Sequence, residues 1–187
     1  MIQLENRNPY SKSEILSSIL DIESKVSIFF QSISPELFYH NGLGGWSPAQ
    51  NLSHLIDIGN GTILLLNTPR FLFSIFGKRK TQRDFETLLT DYIESKAVIQ
   101  IGPIAPSKIS SIDESKKLSV LIPNFKKVYD ELNTIIFKIP ESEFDEYSLP
   151  HPTMGMLSLR EVLYLILIHP IHHCYKVEQK ILKVTTE

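Results

Sequence analysis

Apolar residues recur along this chain at alternating steps of three and four, and four of these runs begin with a serine followed three residues later by Glu or Gln. The pairs are Ser11 with Glu14, Ser47 with Gln50, Ser111 with Glu114, and Ser158 with Glu161. Such a pair forms a capping box, in which each side chain takes the other residue's backbone N–H at the start of a helix. One match means little because the residue types are common. Four matches at the heads of four apolar runs predict four long helices.

The first run carries Ile15, Ile19, Ile22, Val26, Phe29 and Ile33 and stops before Pro35, giving an amphipathic helix of about six turns. The second has Ser47 as N-cap and Pro48 at the first helical position, where a missing N–H costs nothing. It passes through Leu52, Leu55, Ile56, Ile63 and Leu66 to Pro69 and is apolar on several sides, so it is expected to be the most buried helix. The third extends from Ile112 to Ile139 through Leu118, Leu121, Phe125, Val128, Leu132 and Ile135, and Pro123 predicts a kink or a split in it. The fourth spans Leu157 to about Leu182. Its Pro170 lacks an N–H and crowds the carbonyl of Ile166, which predicts a bent helix, not a broken one.

Between Arg70 and Ser110 the rhythm weakens. Thr81 to Lys96 fits a short helix with Phe85, Leu88, Leu89 and Tyr92 inward, while Ile101 to Pro106 is irregular by its Gly and Pro content. A connection of this length suits a flap or a partner surface. Glu141 to Met156 reads as an extended connection with turns at His151-Pro152 and Gly155. Helical runs without an alternating strand give an all-α fold, a four-helix bundle with a long crossover connection between helices 2 and 3. Residues 1–187 are the right length for a single domain.

Composition narrows the function by exclusion. A formal net charge of -2 and a pI near 6.3 provide no basic face for nucleic acid. The first residues, Met1 to Asn6, lack the basic-then-apolar order of a signal peptide. The stretch Ile63 to Phe76 is interrupted by Asn67, Thr68, Pro69 and Arg70, so no membrane span is expected. The single cysteine, Cys174, allows no internal disulfide, and a cytoplasmic protein is expected.

Candidate chemistry gathers near the C-terminus, where His169, His172 and His173 are three of the chain's six histidines. On a helix, His169 and His173 stand one turn apart on one face, a spacing that offers two imidazoles to one metal ion. His172 competes with His173, being three residues from His169 and about 100 degrees around the helix from its neighbour. Spacing alone admits either. Val162, Leu165 and Ile166 make the approach to this face apolar, so the rings are carried inward, where an unsatisfied ring nitrogen costs about 1 to 3 kcal/mol. His54, on the second helix between Asn51 and Ile58, can also point inward, and with His169 and His173 it would give three nitrogen ligands and an open position, as in catalytic zinc sites. The bland alternative is three core histidines satisfied by hydrogen bonds. Nearby, Cys174 points away from the His169 face and reads as a packed small side chain, and Lys176 reads as a snorkelling lysine. Asp57 is the one carboxylate with helical spacing to His54; Asn51 can hydrogen-bond a ligand. Trp46 is expected to pack under the helix start, and His151 to lie at the surface.

The segments Trp46-Ser47-Pro48-Ala49-Gln50-Asn51-Leu52-Ser53-His54-Leu55, His151-Pro152-Thr153-Met154-Gly155 leading into Leu157-Ser158-Leu159-Arg160-Glu161, and His169-Pro170-Ile171-His172-His173 together resemble the DinB-like superfamily of metal-binding four-helix bundles. The resemblance covers most of the chain in order. It implies that His54, His169 and His173 are the metal ligands, which leaves His172 an outer or surface role and sets the His151 segment near the mouth of the site. It further implies a divalent metal ion, zinc or nickel, and a small-molecule substrate, a low-molecular-weight thiol being one candidate. The activity implied is that of a metal-dependent enzyme of thiol S-transferase or hydrolase type, with a homodimer as the candidate assembly. Where the family often has Arg, Gly and Gln after the last ligand, this chain has Cys174, Tyr175 and Lys176, so the family's substrates do not transfer directly. The alternative is a non-catalytic metal-binding or ligand-binding helical bundle. An open cleft at the ion favours chemistry; a plugged one favours the structural role.

Overall fold

The capping pairs act as written wherever the computed structural model describes them, which is over residues 2–39, 45–78, 81–98 and 118–186. Helix α1 (Lys12–Gln31) starts at Ser11, whose N–H donates to Glu14 Oε2 at 2.8 Å while the Glu14 N–H donates to Ser11 Oγ at 3.3 Å. The same exchange opens α3 (Pro48–Leu66) between Ser47 and Gln50, at 2.8 and 3.2 Å. It opens α6 (Leu159–Thr186) between Ser158 and Glu161, at 2.6 and 3.1 Å. The pair Ser111 and Glu114 lies outside the described residues. Helix α5 is described from Leu118 to Lys138 and runs through Pro123 without splitting.

Other segments differ from the sequence expectation in detail. After α1 a short helix α2 (Pro35–Phe38) restarts at Ser34, whose hydroxyl accepts the Leu37 N–H, so Pro35 ends one helix and occupies the first position of the next. The weakly patterned connection contains a 3-10 helix at Arg70–Phe76 and helix α4 (Phe85–Val98), with Phe85, Leu88 and Tyr92 buried. Ile101 to Pro106 falls outside the described residues. The segment read as extended contains a 3-10 helix at Glu141–Asp145 and an antiparallel hairpin of β1 (Leu149–His151) and β2 (Gly155–Leu157), pairing Leu149 with Leu157 and His151 with Gly155. Strands of three residues are too short to register as alternation. Gly155 has φ 72, the left-handed backbone that glycine adopts without a Cβ penalty.

Helices α1, α3, α5 and α6 form the bundle. Each of α1 and α3 packs against both α5 and α6, so α1 lies across one diagonal from α3, and α5 across the other from α6. The α3–α5 approach is close at Gly59, where an added Cβ would meet Val128 Cγ1 at 2.4 Å. Helix α3 is not the most buried element, because Asp57, Asn60, Gly61 and Leu64 form an exposed strip along it. That position belongs to the start of α6, where Leu159 to Ile168 are buried apart from half-buried Val162. Six consecutive apolar residues, Leu163 to Ile168, are covered there from several sides by α1, α3 and α4.

Two features of α6 matter for the site. It continues through Pro170, and the Ile166 carbonyl that Pro170 cannot serve accepts the buried Tyr129 hydroxyl at 3.2 Å from α5. At its start, Glu161 is fully buried and takes the Arg83 guanidinium at 2.7 Å; Arg83 also bonds Asp91 at 2.9 Å. This anchors α4 against α6 and sets the position of Tyr92. Among the described residues, no helix is long and apolar enough to cross a membrane.

Candidate metal centre

Three imidazoles from two helices meet at one point. His54 on α3 places Nε2 3.0 Å from Nε2 of His169 on α6, and His173, one turn further along α6, places its Nε2 3.1 Å from the same atom. The pair on α6 is side by side because residues four apart share a face of a helix. No other group of three or more His, Cys, Asp or Glu side chains converges in this way among the described residues. His172 does not join it; its ring stands edge-on to Tyr92 and to His173 at 5.5 and 5.4 Å.

The far side of each α6 ring is held. Asn51 donates its amide N–H groups to the carbonyls of Ser47 and Trp46 at 2.9 and 3.4 Å, which turns Oδ1 toward His173 Nδ1 at 2.7 Å. An amide oxygen only accepts, so the His173 proton sits on Nδ1 and Nε2 presents a lone pair. His169 Nδ1 meets the Tyr92 hydroxyl at 2.8 Å. Burial, then the positive potential of His169 and His54, keeps His173 well below the usual imidazole range. Burial pushes the Tyr92 phenol up, so it stays protonated at neutral pH.

These atoms fit a divalent cation. One proton on His169 Nε2 can satisfy only one of its two N···N contacts, whereas a cation among three lone pairs satisfies all three nitrogens at once. Outer nitrogens tied to an amide oxygen and a hydroxyl are the supporting contacts that orient ligating histidines. An all-imidazole donor set suits zinc, nickel and neighbouring ions.

Trp46 does more than pack under the helix start. Its ring stacks on His173 with centroids 6.1 Å apart and stands edge-on to His54 at 4.9 Å. Lys180 Nζ holds the approach to α3 by donating to the carbonyls of Gly45 and Trp46 at 3.3 and 3.0 Å. Cys174 is buried, and burial raises its thiol far above the usual range, in keeping with a packed side chain. Lys176 is exposed and does not line the cleft described next.

A cleft of about 460 Å3 opens beside the triad, with His169 and Tyr92 among the residues that line it. Asp57 and Thr62 of α3 line it, as does His151 of the hairpin, which is therefore half-buried at the cleft wall instead of a plain surface residue. His151 Nδ1 accepts the backbone N–H groups of Thr153 and Met154 at 3.3 and 3.2 Å. Tyr92 and Lys180 are the participants that sequence reasoning missed. Tyr92 carried a signal, because a tyrosine at an inward helix position needs a partner for its hydroxyl.

Comparisons with known proteins bear on the family and the fold. The family model described as the DinB superfamily matches residues 23–176. A solved structure of YfiT from Bacillus subtilis, described as a probable metal-dependent hydrolase with an unusual four-helix bundle topology, aligns with a TM-score of 0.61 at 12% sequence identity. The alignment covers 99% of this chain and 94% of that one. No curated protein matches the chain.

Proposed function

The chain belongs to the DinB superfamily, and from that premise we propose that it is a metal-dependent hydrolase of small molecules, with the ion held by Nε2 of His54, His169 and His173. The observation that carries this reading is the convergence of three ring nitrogens beside an open cleft that His169 lines. When bound, a divalent ion in such a site supplies a Lewis acid and activates water as a nucleophile at neutral pH.

The chain's own residues perform the remaining tasks. Asn51 keeps the His173 proton on Nδ1, and burial keeps that ring neutral, so its Nε2 lone pair is available at neutral pH. Tyr92 holds the outer nitrogen of His169. Trp46 covers the His54 and His173 rings, leaving His169 as the triad ring that lines the cleft. Asp57 is the cleft's only carboxylate among the described residues and is the group placed to accept a proton from an attacking nucleophile.

The description of YfiT as a probable metal-dependent hydrolase supports the hydrolase reading over a thiol transferase. A transferase would need an external thiol, because Cys174 is buried and its thiol is held protonated by burial. The open cleft counts against a purely structural ion.

Elemental analysis of protein purified without added metal tests the premise, and a panel of esters and amides tests the reaction. The expected result is about one divalent ion per chain, with hydrolysis abolished by chelation and restored by zinc or nickel. Protein that neither carries a transition metal nor takes one up would overturn the reading.

A further inference from the structure

The cleft beside the triad has a one-sided chemistry. Apolar side chains, among them Ile58, Leu65, Phe73, Leu149, Val162 and Leu165, supply most of its wall. No lysine or arginine lines it among the described residues, and Asp57 is its only acidic side chain. An anionic group entering this cleft would lose water, meet no lysine or arginine on the walls and face the Asp57 carboxylate.

We propose that the walls of the cleft favour an uncharged acyl compound, an ester or amide with an apolar tail, and that Asp57 is the wall residue that disfavours carboxylate- and phosphate-bearing alternatives. The proposal rests on the hydrolase reading and adds the substrate class. The tail lies along the walls supplied by α3, α6 and the Arg70–Phe76 segment, and the acyl carbonyl faces His169. The cleft's volume falls within the range of small-molecule sites, of roughly 300 to 1,000 Å3.

Metal-free protein provides the test, since a carboxylate would otherwise bind the ion itself. Octanamide, octanoate and octylamine share a tail and differ only in charge, and calorimetry reads their affinities directly. Octanamide is expected to bind at least about tenfold more tightly than octanoate. Shortening the amide should weaken it about fourfold per methylene removed. Asp57→Asn should raise the octanoate affinity and narrow its gap to octanamide; Asp57 is exposed, so the substitution does not threaten folding. Ile58→Trp, on the wall at a largely exposed position, should abolish octanamide binding while metal uptake remains. Octanoate binding as tightly as octanamide would overturn the proposal, and so would octylamine binding most tightly of the three or no binding of any. Metal uptake, measured separately by elemental analysis, tells failure of the cleft proposal apart from failure of the metal reading.

Discussion

The seam between α1 and α5 and the seam between α3 and α6 are built on opposite principles. The first is apolar: Ile15, Ile19, Ile22, Val26 and Phe30 of α1 and Phe125, Leu132 and Ile136 of α5 are all fully buried, and the two helices pack together. Its stability comes from area removed from water, and no single atom depends on another. The second carries a directed chain, in which the Ser47 and Trp46 carbonyls orient Asn51, Asn51 orients His173, and His173 meets His169, itself held by Tyr92. Removing one link there leaves the next polar group without its partner. One seam holds the bundle together; the other spends some of that stability on positioning nitrogens.

The largest effect should come from the triad. His54→Ala, His169→Ala and His173→Ala are each expected to remove most of the bound metal, whereas His172→Ala and Cys174→Ala leave it in place. A bound ion adds RT ln(1 + [L]/Kd), about 2.7 kcal/mol at a hundredfold excess over Kd. Chelation should therefore lower the melting temperature of the wild type but hardly that of the three variants. Stoichiometric metal in His54→Ala would show that α3 contributes no ligand, and the contrast between the seams would collapse.

Leu132→Ala makes the opposite test. Leu132 is fully buried in the apolar seam, and its truncation should cost about 2 to 5 kcal/mol in denaturant unfolding. Metal stoichiometry of the folded protein should not change. Loss of metal at this position would mean that the two seams are not separable.

The apolar seam is also what the sequence displays most openly. Ile15, Ile19, Ile22 and Val26, and likewise Leu121, Phe125, Val128 and Leu132, stand at helical spacing, and all eight are buried. The polar seam is only partly legible. The spacing of His169 and His173 is visible, but the choice of His173 over His172 came from resemblance, because both can reach a ligand from spacing alone. Trp46 and Lys180 could not be assigned, since their contacts depend on how the approach to α3 lies against α6. The order of helices around the bundle is likewise set by tertiary packing, which no local period encodes.

Asn51 separates orientation from ligation. Asn51→Ala removes the acceptor for His173 Nδ1 and should weaken metal binding by roughly 10- to 100-fold. Asn51→Asp keeps an acceptor there and should restore most of the affinity. Acid sharpens the same point. Folded His173 is held below its unfolded value of about 6.5, so the unfolded chain takes up this proton first as pH falls. This contribution to the stability of metal-free protein is complete above pH 6.5 and is lost as pH falls below it toward the folded value. The loss should be shallower in His173→Gln, measured by denaturant unfolding across that range; an equal slope would show that His173 titrates the same way folded and unfolded.

The smallest effect tests a hydrogen bond that links the seams. Pro170 sits between His169 and His173 and has no N–H to offer the Ile166 carbonyl, which accepts the Tyr129 hydroxyl from across the bundle diagonal instead. Tyr129→Phe keeps the ring and removes that donor, at an expected cost of about 0.5 to 1.5 kcal/mol. If the hydroxyl replaces a backbone donor lost to proline, its value should depend on the proline. Pro170→Ala supplies an N–H that can reach the Ile166 carbonyl, so Tyr129→Phe should cost less in the Pro170→Ala protein than in the wild type. The double-mutant cycle reads the difference directly. Equal costs in the two backgrounds would show that the Tyr129 hydroxyl does not stand in for the backbone donor lost to Pro170, and that α6 is carried past Pro170 without that help from α5.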